Sequence, residues 1–349
     1  MMKDFNDYSL LRHNTFGIDV HCLRYIEYAS TDEAVQACAL LRASENPFLI
    51  IGAGSNLLLT KDFEGIVVSA EKRFEVSMQA DLEHPESVLL ACWAGTIFDD
   101  VVAYAVSKGW HGAENLSLIP GQVGASAVQN IGAYGAEACN IIERIEAVEI
   151  ATGKIVDIKG VDCAYSYRQS KFKQVWKNRY LITRVIYRMS NCFEPQLGYG
   201  NIKTRLEEQG IVNPTAAQVR ETVIAIRREK LPDPAVEGNA GSFFMNPVVD
   251  EVKFKDLQKQ YPDIPYYIIK SVSGSSADAH YKIPAAWMID RCGWKGRSVG
   301  AVGVHVRQPL VLVNKGGATG QDVLNLCLAI QKDVQEKFGI ALFPEVNIQ

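Results

Sequence analysis

Ser242 is the residue whose setting first points to chemistry. It lies in GNAGSFFMNP (residues 238–247), shortly after EKLPDP (residues 229–234). A hydroxyl there is either a backbone-bonded turn residue or a placed chemical group. The stretch lacks the second glycine of a GxSxG nucleophile turn, which disfavours a serine hydrolase. The chain also has no HExxH, EF-hand or zinc-ligand spacing, so we expect no metal site.

A first glycine cluster, IGAGSNLL (residues 51–58), joins a strand to a sharp turn. Leu57 stands where a dinucleotide-binding fingerprint needs its third glycine, and no P-loop lysine follows. The remaining backbone N–H groups could form a nest for a pyrophosphate, or the segment could be a tight turn without a ligand. The residues of this turn are Gly52, Ala53, Gly54, Ser55 and Asn56.

The second cluster, IPGQVGASAVQNIGAYG (residues 119–135), is the stronger signal. Small residues let a flat ring or a diphosphate approach the backbone, and a helix starting near Gly124 would favour a phosphate. A glycine-rich packed loop is the alternative, and two such clusters in one chain weaken it. The side chains and glycines that could serve a ligand are Gly121, Gly124, Ser126, Gln129, Asn130, Gly132, Tyr134 and Gly135.

Two charged residues complete the candidate set. Arg168, in YSYRQSKFK (residues 165–173), could clamp a carboxylate with its planar fork, although a surface ion pair is the ordinary explanation for such an arginine. Glu345, in the final ALFPEVNIQ, is either an exposed strand residue or a carboxyl group held in a cleft.

The whole chain bounds these possibilities. With 349 residues it should form two or three domains, and a net charge of -4 offers no basic surface for nucleic acid. We see no signal peptide and no apolar run long enough to span a membrane. The eight cysteines have no paired spacing, so free and mostly buried thiols are expected.

The helices and strands that must position these groups are predicted to form an α+β fold. Helices should open at Ser30, with Glu33 as a capping partner, at Thr96, and at Asn213–Pro214. A long helix should begin near Gln321 and stop at Gly339. Thr152–Gly153 indicates a hairpin turn, so antiparallel pairing is a better prediction than a doubly wound parallel sheet.

Taken together, the motifs resemble the UDP-N-acetylenolpyruvoylglucosamine reductase (MurB) family, in its longer-loop type. The resemblance spans nearly the whole chain, and QNIGAYG and GNAGSFF are its most specific parts. The motifs, in family order, are NTFGI (residues 14–18), IGAGSNLL, IPGQVGASAVQNIGAYG, YRQSKFK, KLPDP, GNAGSFFMNP, AAWMID with GWKG (residues 285–296), and FPEV (residues 343–346).

The resemblance implies a fold and a reaction. It implies an α+β, PCMH-type FAD-binding region over residues 17–188, divided into two subdomains near 70–75. A substrate-binding domain over 214–330 and a C-terminal segment, 331–349, that returns to the active site would follow. NADPH would reduce non-covalent FAD, which would then reduce the enolpyruvyl ether of UDP-N-acetylglucosamine to UDP-N-acetylmuramate for the peptidoglycan cell wall. The enzyme would be cytoplasmic and monomeric, with no membrane or nucleic-acid partner.

Residue roles follow from the same resemblance. Ser242 matches the proton donor, and Arg168 and Glu345 match the pair that steadies the substrate carboxylate. Hydride addition to the β-carbon of the enol leaves a carbanion that needs an electron sink and a pre-placed proton. Tyr199, Lys230 and Asn246 match substrate contacts. The implied FAD residues are Gly52, Ala53, Gly54, Ser55, Asn56, Gly121, Gly124, Ser126, Asn130, Ala133, Tyr134 and Gly135.

Three positions depart from the family's common pattern. Ala125 stands where serine is frequent, Ala127 where proline is frequent, and Met245 where lysine is frequent. These departures put individual contacts in question more than FAD itself.

Two alternatives stay open from the sequence. One is another PCMH-type FAD oxidoreductase that acts on a sugar or an alcohol; such enzymes often tether FAD through histidine, and neither glycine cluster contains one. The other is a nucleotide-sugar-binding protein without activity. Binding alone needs no proton donor, so Arg168, Ser242 and Glu345 together argue against it.

Overall fold

The computed structural model describes residues 1–269 and 280–349. The predicted substrate-binding range therefore includes ten positions, 270–279, that lie outside the described residues. The α-helices are α1 (Thr31–Ala43), α2 (Phe98–Ser107), α3 (Val123–Gln129), α4 (Ile202–Glu208), α5 (Ala216–Lys230), α6 (Glu251–Gln260), α7 (Ala285–Arg291) and α8 (Gly320–Phe338). Short 3₁₀ turns cover Leu11–His13, Glu114–Leu116, Ala138–Asn140, Gly160–Cys163 and Lys171–Lys173.

The strands are mostly short. They are β1 (Lys3–Ser9), β2 (His21–Tyr28), β3 (Phe48–Ile51), β4 (Leu57–Leu58), β5 (Phe63–Ala70), β6 (Val76–Ala80), β7 (Ser87–Trp93), β8 (Gly132–Ala133), β9 (Ala136–Glu137), β10 (Ile142–Glu149), β11 (Ile155–Lys159), β12 (Tyr180–Ser190), β13 (Gly238–Ser242), β14 (Val248–Val249), β15 (Tyr267–Ile269), β16 (His280–Lys282), β17 (Ser298–Val299), β18 (Val302–Val304), β19 (Val311–Asn314) and β20 (Asn347–Ile348).

The chain divides into two compact units that interleave in sequence. The first contains Met1–Ser9, His21–Gly54 and Phe63–Glu229, and the second contains Leu10–Val20, Ser55–Asp62 and Lys230–Gln349. The predicted domains at 17–188, 214–330 and 331–349 were defined by function and not by compactness, so that division stays a prediction.

The first unit holds two sheets. One has the order β1-β2-β5-β3, with β2, β5 and β3 parallel to one another and β1 antiparallel at the edge. The other has the order β11-β10-β12-β7-β6 and is antiparallel throughout. The chain passes from one sheet to the other between Ala70 and Val76. The antiparallel prediction therefore holds for the second sheet, while the first is mixed.

Helix packing explains the parallel part of the first sheet. α1 connects β2 to β3 as a crossover and buries Ala34, Ala37, Cys38 and Leu41 in the core of this unit. A parallel pair needs such a crossover because the chain must return to the same end of the sheet. The hairpin predicted at Thr152–Gly153 joins β10 to β11, and Gly153 has a φ of +73°.

The second unit is built on the sheet β13-β19-β18-β17, whose neighbouring strands all pair antiparallel. A smaller sheet has the order β14-β16-β15, and β20 at the end of the chain pairs in parallel with β4. α8 is capped at its start by the reciprocal pair Thr319 and Asp322 and ends at Gly339, as predicted.

Two helix starts differ from the prediction. Thr96 does not cap α2, because its hydroxyl donates to the Arg73 carbonyl, 3.0 Å away, and Ile97 takes the capping position. α5 begins two residues after Pro214, because Thr215 and Gln218 bond each other's backbone N–H groups. Ser30 caps α1 as expected, accepting from the Glu33 N–H at 3.1 Å. The eight cysteines are free thiols, most of them buried.

Candidate active site

The first unit brings the two glycine clusters together. A Cβ atom placed on Gly52 would lie 3.1 Å from Gln122 Oε1 and 3.4 Å from the Ala125 Cβ. The turn after β3 therefore packs directly on the first residues of α3. A side chain at position 52 would require Gln122 to shift by a few tenths of an ångström, and Ala125, where the family often has serine, forms part of the contact.

Several predicted cofactor residues have structural duties inside this unit. The Gly124 N–H donates to the Ala94 carbonyl at 2.9 Å, and a Cβ there would press on Ala94. The Ser126 hydroxyl bonds the Val123 carbonyl at 2.7 Å and the Tyr187 hydroxyl at 2.6 Å. The Gly124 N–H and the Ser126 side chain are thus engaged with the protein. Ala127 is fully buried in the core.

Asn130 is the most constrained of these residues. It is fully buried with a left-handed φ of 48°. Its Nδ2 donates to Glu137 Oε2 at 2.9 Å and to the Ser166 carbonyl at 3.0 Å, while its Oδ1 accepts from the Cys139 N–H at 3.0 Å. Both hydrogens of the amide and one acceptor position of its oxygen are therefore engaged within the protein. Asn130 therefore ties the glycine-rich loop to the turn that carries Arg168.

Arg168 sits at a strained position and points toward the glycine-rich loop. Its φ is 56°, in a turn closed by two backbone hydrogen bonds between Ser166 and Gln169. Its Nη2 donates to the Gly132 carbonyl at 2.7 Å. The Lys173 amino group holds the Arg168 carbonyl at 3.0 Å. Backbone strain of about 1–3 kcal/mol at a non-glycine residue is typical of functional sites.

The backbone of the glycine-rich loops fits a diphosphate-bearing flat group such as FAD. Gly54, Gly121, Tyr134 and Gly135 all have positive φ angles, which turn successive N–H groups into concave arrangements that bind anions. Ala53 and Ala133 add no bulk. The Gly124 N–H, the Ser126 hydroxyl and the Asn130 amide already have hydrogen-bond partners in the protein, and the cofactor role of all the predicted residues stays a prediction. Ser55 and Asn56 belong to the second unit.

In the second unit, a β-bulge presents Ser242. Asn239 pairs with Val313 and Ser242 with Val311, so two residues of β13 face one residue of β19. Gly241, inside the bulge, has a φ of +70°. Bulges often re-aim a side chain beside an active site. The turn is bonded by the Asn239 Oδ1, which accepts from the Gly241 N–H at 2.9 Å, and not by the serine.

The C-terminal segment pairs with the residues after Ser242. The Glu345 N–H donates to the Phe243 carbonyl at 2.8 Å, and the Met245 N–H donates to the Phe343 carbonyl at 2.9 Å. Asn56 Nδ2 also donates to the Glu345 carbonyl, at 3.2 Å. Glu345 is thereby held next to the residue that follows Ser242. Met245 joins this pairing through its backbone, which leaves its side-chain identity less constrained.

The predicted substrate residues fall in different settings. Tyr199 is 61% exposed and its ring lies over Gly135. Lys230 is exposed and is the first residue of the second unit's long C-terminal portion. Asn246 is half-buried, and its Oδ1 accepts from the Ala285 N–H at the start of α7 at 2.9 Å, which orients its amide.

The sequence prediction missed Arg227, on α5 in the first unit. Within the described residues, its buried Nε has no hydrogen-bond partner. Burial lowers its pKa and the nearby Arg168 charge acts in the same direction, while Tyr134 and Asp99 raise it. Asp99 is already bound by both terminal nitrogens of Arg220, at 2.5 and 3.0 Å. Arg227 is thus suited to bind an anion. The sequence signal that could have identified it is its position on α5, one helical turn before Lys230.

The NTFGI segment (residues 14–18) has a structural role that the sequence did not predict. Thr15 donates through its hydroxyl to the Asn239 carbonyl at 2.6 Å and accepts from the Asn239 N–H through its own carbonyl at 2.9 Å. Any Cβ on Gly238 would overlap the Phe16 carbonyl. These residues support the strand that carries Ser242.

Among the described helices, none is long and apolar enough to cross a membrane. Residues 1–269 and 280–349 contain no cluster of three or more acidic, histidine or cysteine side chains suited to a metal ion.

Comparison with known proteins gives consistent matches over both units. The FAD binding domain family matches residues 23–159, and the family described as UDP-N-acetylenolpyruvoylglucosamine reductase, C-terminal domain, matches residues 233–349. The UDP-N-acetylenolpyruvoylglucosamine reductase of Bacteroides fragilis is 48% identical over 341 residues, which cover 97% of this chain and 98% of that protein. The reductase of the same name from Pseudomonas aeruginosa is 46% identical over 343 residues, 97% of each chain.

A solved structure agrees at the level of the fold. The crystal structure of UDP-N-acetylenolpyruvylglucosamine reductase from Thermus caldophilus matches with a TM-score of 0.65 and 22% identity, over 100% of this chain and 98% of that one. The predicted α+β fold with an FAD-binding domain is confirmed, and the sugar or alcohol oxidase left open by the sequence is disfavoured. The chain belongs to the UDP-N-acetylenolpyruvoylglucosamine reductase family, the FAD- and NADPH-dependent enzymes of peptidoglycan precursor synthesis.

Proposed function

We propose that this chain converts the enolpyruvyl ether of UDP-N-acetylglucosamine to UDP-N-acetylmuramate with Arg168, Ser242 and Glu345 as its catalytic residues. FAD, when bound, would supply the redox chemistry, namely hydride transfer from NADPH to the β-carbon of the enol. The protein supplies the proton for the α-carbon and the charges that stabilise the carboxylate. The sum is the addition of one hydride and one proton across the carbon–carbon double bond.

The observation that carries this proposal is the setting of Ser242. Its strand is bulged at Gly241, with the turn bonded by Asn239, and the C-terminal segment places Glu345 beside Phe243. A serine hydroxyl is a weak acid, so it protonates a carbanion efficiently only when it is already in position. The bulge at Gly241 and the pairing of Phe243 with the C-terminal segment support this role.

Arg168 is proposed to bind the substrate carboxylate, onto which negative charge spreads as the hydride arrives. A preorganised guanidinium costs no reorganisation when that charge develops. The turn between Ser166 and Gln169, with Asn130 and Lys173 bonded to it, fixes the arginine backbone. Glu345 acts on the same carboxylate as a hydrogen-bonding partner.

The remaining contacts divide by ligand. The loops at Ala53–Gly54, Gly121 and Ala133–Gly135 would hold FAD through backbone N–H groups. Lys230, Asn246 and Tyr199 would bind the UDP-sugar. Arg227 provides a further cation for a phosphate or carboxylate of either ligand. We also propose that the enzyme is cytoplasmic and monomeric; light scattering of the purified protein tests the monomer, and fractionation of cells tests the location.

One assay tests the activity. Purified protein is mixed with NADPH, and absorbance loss is followed with and without the UDP-N-acetylglucosamine enolpyruvyl ether. We expect rapid consumption that depends on the enol and ends at one NADPH per UDP-N-acetylmuramate formed. Acid precipitation should release the flavin into the supernatant. Consumption that ignores the enol, or flavin retained in the pellet, contradicts the proposal.

A further inference from the structure

Two loops of the first unit interlock through a reciprocal pair of tyrosines and glycines. The ring of Tyr199 occupies the space over Gly135, where a Cβ atom would overlap it and would lie 2.8 Å from Tyr199 Cε2. The ring of Tyr134 occupies the space over Gly200 in the same way. Each loop therefore gives one ring and receives one, and glycine is the residue that permits both contacts.

Asn115 bonds both loops at once. It is 5% exposed, in the 3₁₀ turn Glu114–Leu116. Its Nδ2 donates to the Tyr134 carbonyl at 2.8 Å and to the Gln196 carbonyl at 2.9 Å. The two hydrogens of one amide group are divided between the glycine-rich loop and the loop of residues 191–200, here called the Tyr199 loop.

The segment that carries Asn115 is itself anchored. The Glu114 carboxylate accepts from the Gly112 N–H at 2.9 Å and lies 3.1 Å from His111 Nδ1. His111 and Ser190 exchange two backbone hydrogen bonds at the end of β12, and the His111 ring lies 5.1 Å from the ring of Phe193. Residues 111–115 thus touch the start and the middle of the Tyr199 loop.

The Tyr199 loop also rests on a small apolar cluster. Phe193, Leu197 and Tyr134 pack against the buried residues of α4 and α5, namely Ile202, Leu206, Val219, Val223 and Ile226. These apolar contacts support the Tyr199 loop, but because they are non-directional they do not fix the distance between the loop and Gly135. The directional bonds of Asn115 do specify it, because hydrogen bonds weaken steeply with distance and angle.

We propose that Asn115 is a positioning residue that sets Tyr199 relative to the glycine-rich loop. It holds one carbonyl of each loop on a single amide, and the Tyr–Gly interlock transmits that spacing to the Tyr199 ring. The inference rests on the proposed role of Tyr199 in substrate binding. Both hydrogens of the Asn115 amide are donated to protein carbonyls, so its proposed effect on the substrate is exerted through Tyr199.

A double-mutant cycle tests the proposal. Asn115→Ala should raise KM for the enol substrate about tenfold, the effect of two lost hydrogen bonds, with kcat changed less than about threefold. In a Tyr199→Ala background the same change should have almost no further effect on KM, because the residue that Asn115 positions is gone. Fully additive effects overturn the proposal, since they would make Asn115 a merely structural residue.

Hydrogen exchange separates this inference from the proposed function. In Asn115→Ala, the amide of Ile202, which donates to the Tyr199 carbonyl at 3.3 Å, should exchange about tenfold faster, while the amides of α2 and α5 should not change. If exchange is faster but Tyr199→Ala leaves KM unaltered, the proposed substrate role of Tyr199 is wrong, while the positioning of the loop by Asn115 stands. If exchange is unchanged, Asn115 does not hold the loop, whatever Tyr199 does.

Matched variants control for general damage. Asn14 in the second unit also donates its amide to two carbonyls, those of Leu10 at 2.8 Å and Ile18 at 2.9 Å, so Asn14→Ala shows the cost of losing such a pair elsewhere. Gly210→Ala introduces backbone strain at a φ of +73° with no neighbour within 4 Å, whereas Gly200→Ala adds the clash with Tyr134 at a φ of +68°. Only Asn115→Ala and Gly200→Ala should alter exchange of the Ile202 amide.

Discussion

The Glu345 N–H donates to the Phe243 carbonyl at 2.8 Å, so the last residues of the chain pair with those that follow Ser242. This pairing relates two groups that lie about a hundred positions apart in sequence. Its consequence is that disturbing the C-terminal segment should disturb the residue proposed as the proton donor, even without changing Ser242.

Ser242→Ala should separate the two half-reactions. Removing a general acid costs about 10²- to 10⁴-fold, so turnover of the enol should fall by that range. Reduction of the flavin by NADPH needs no such proton and should stay nearly unchanged. Stopped-flow measurement of each half-reaction checks this, and an equal loss in both would remove Ser242 from its proposed role.

Arg168→Lys keeps the charge but loses the planar fork. A lysine cannot bond a carboxylate bidentately, so the enol half-reaction should slow about 10²-fold. Arg179→Lys is the matched control, because Arg179 pairs with Glu149 at 2.9 Å on the exposed surface of the same unit. Comparable losses in the two variants would mean that the Arg168 effect comes from general destabilisation.

Asn56→Ala tests whether Asn56 serves the catalytic segment or the cofactor. Loss of its bond to the Glu345 carbonyl should lower enol turnover about fivefold, as expected for one hydrogen bond, with FAD content unchanged. Asn325→Ala, on α8 of the same unit, should have no effect. Protein that loses FAD but keeps full turnover per bound flavin would assign Asn56 to the cofactor instead.

Asn130→Ala should destabilise the first unit by about 2 kcal/mol or more, because it leaves buried partners in Cys139 and Ser166 unsatisfied. Asn178 has a similar left-handed φ of 59° but is exposed, so Asn178→Ala should cost less than about 1 kcal/mol. Urea unfolding measures both free energies. If the two variants lose the same free energy of unfolding, Asn130 is a turn residue whose side-chain hydrogen bonds do not stabilise the fold.

Asp81 gives a prediction for pH. The Arg188 side chain, with Ser87 and the His84 N–H, lowers the pKa of Asp81 from 3.8 to about 2. Because the folded pKa lies below the unfolded one, Asp81 stabilises the fold above about pH 4. That contribution is lost as pH falls toward 2. The difference in unfolding free energy between the parent and Asp81→Asn should therefore shrink over this range.

Urea unfolding at a series of pH values checks this, with Asp157→Asn as the control. The Asp157 side chain is 69% exposed and lies 3.7 Å from Arg144. A difference for Asp81→Asn that stays constant from pH 5 to pH 2 would contradict the assignment.

Local signals in the sequence carried much of the fold. The Ser30 cap, the Thr152–Gly153 hairpin and the stop of α8 at Gly339 all depend on neighbours within a few residues, and all three are present. Thr96 failed as a cap because a distant carbonyl, that of Arg73, competed for its hydroxyl. A local sequence pattern contains no information about acceptors that lie many residues away, so it cannot predict such a hydrogen bond.

The candidate site shows the same division. The sequence by itself determined the family, the need for FAD and the identities of Ser242, Arg168 and Glu345 as candidates, because those motifs are specific in type and order. Only the tertiary structure decided that Asn130 and Asn56 hold backbone segments in place, and that the Nε atom of Arg227 is buried without a hydrogen-bond partner among the described residues. Hydrogen bonds between residues far apart in the chain depend on how strands and loops pack, and no local pattern encodes those distances.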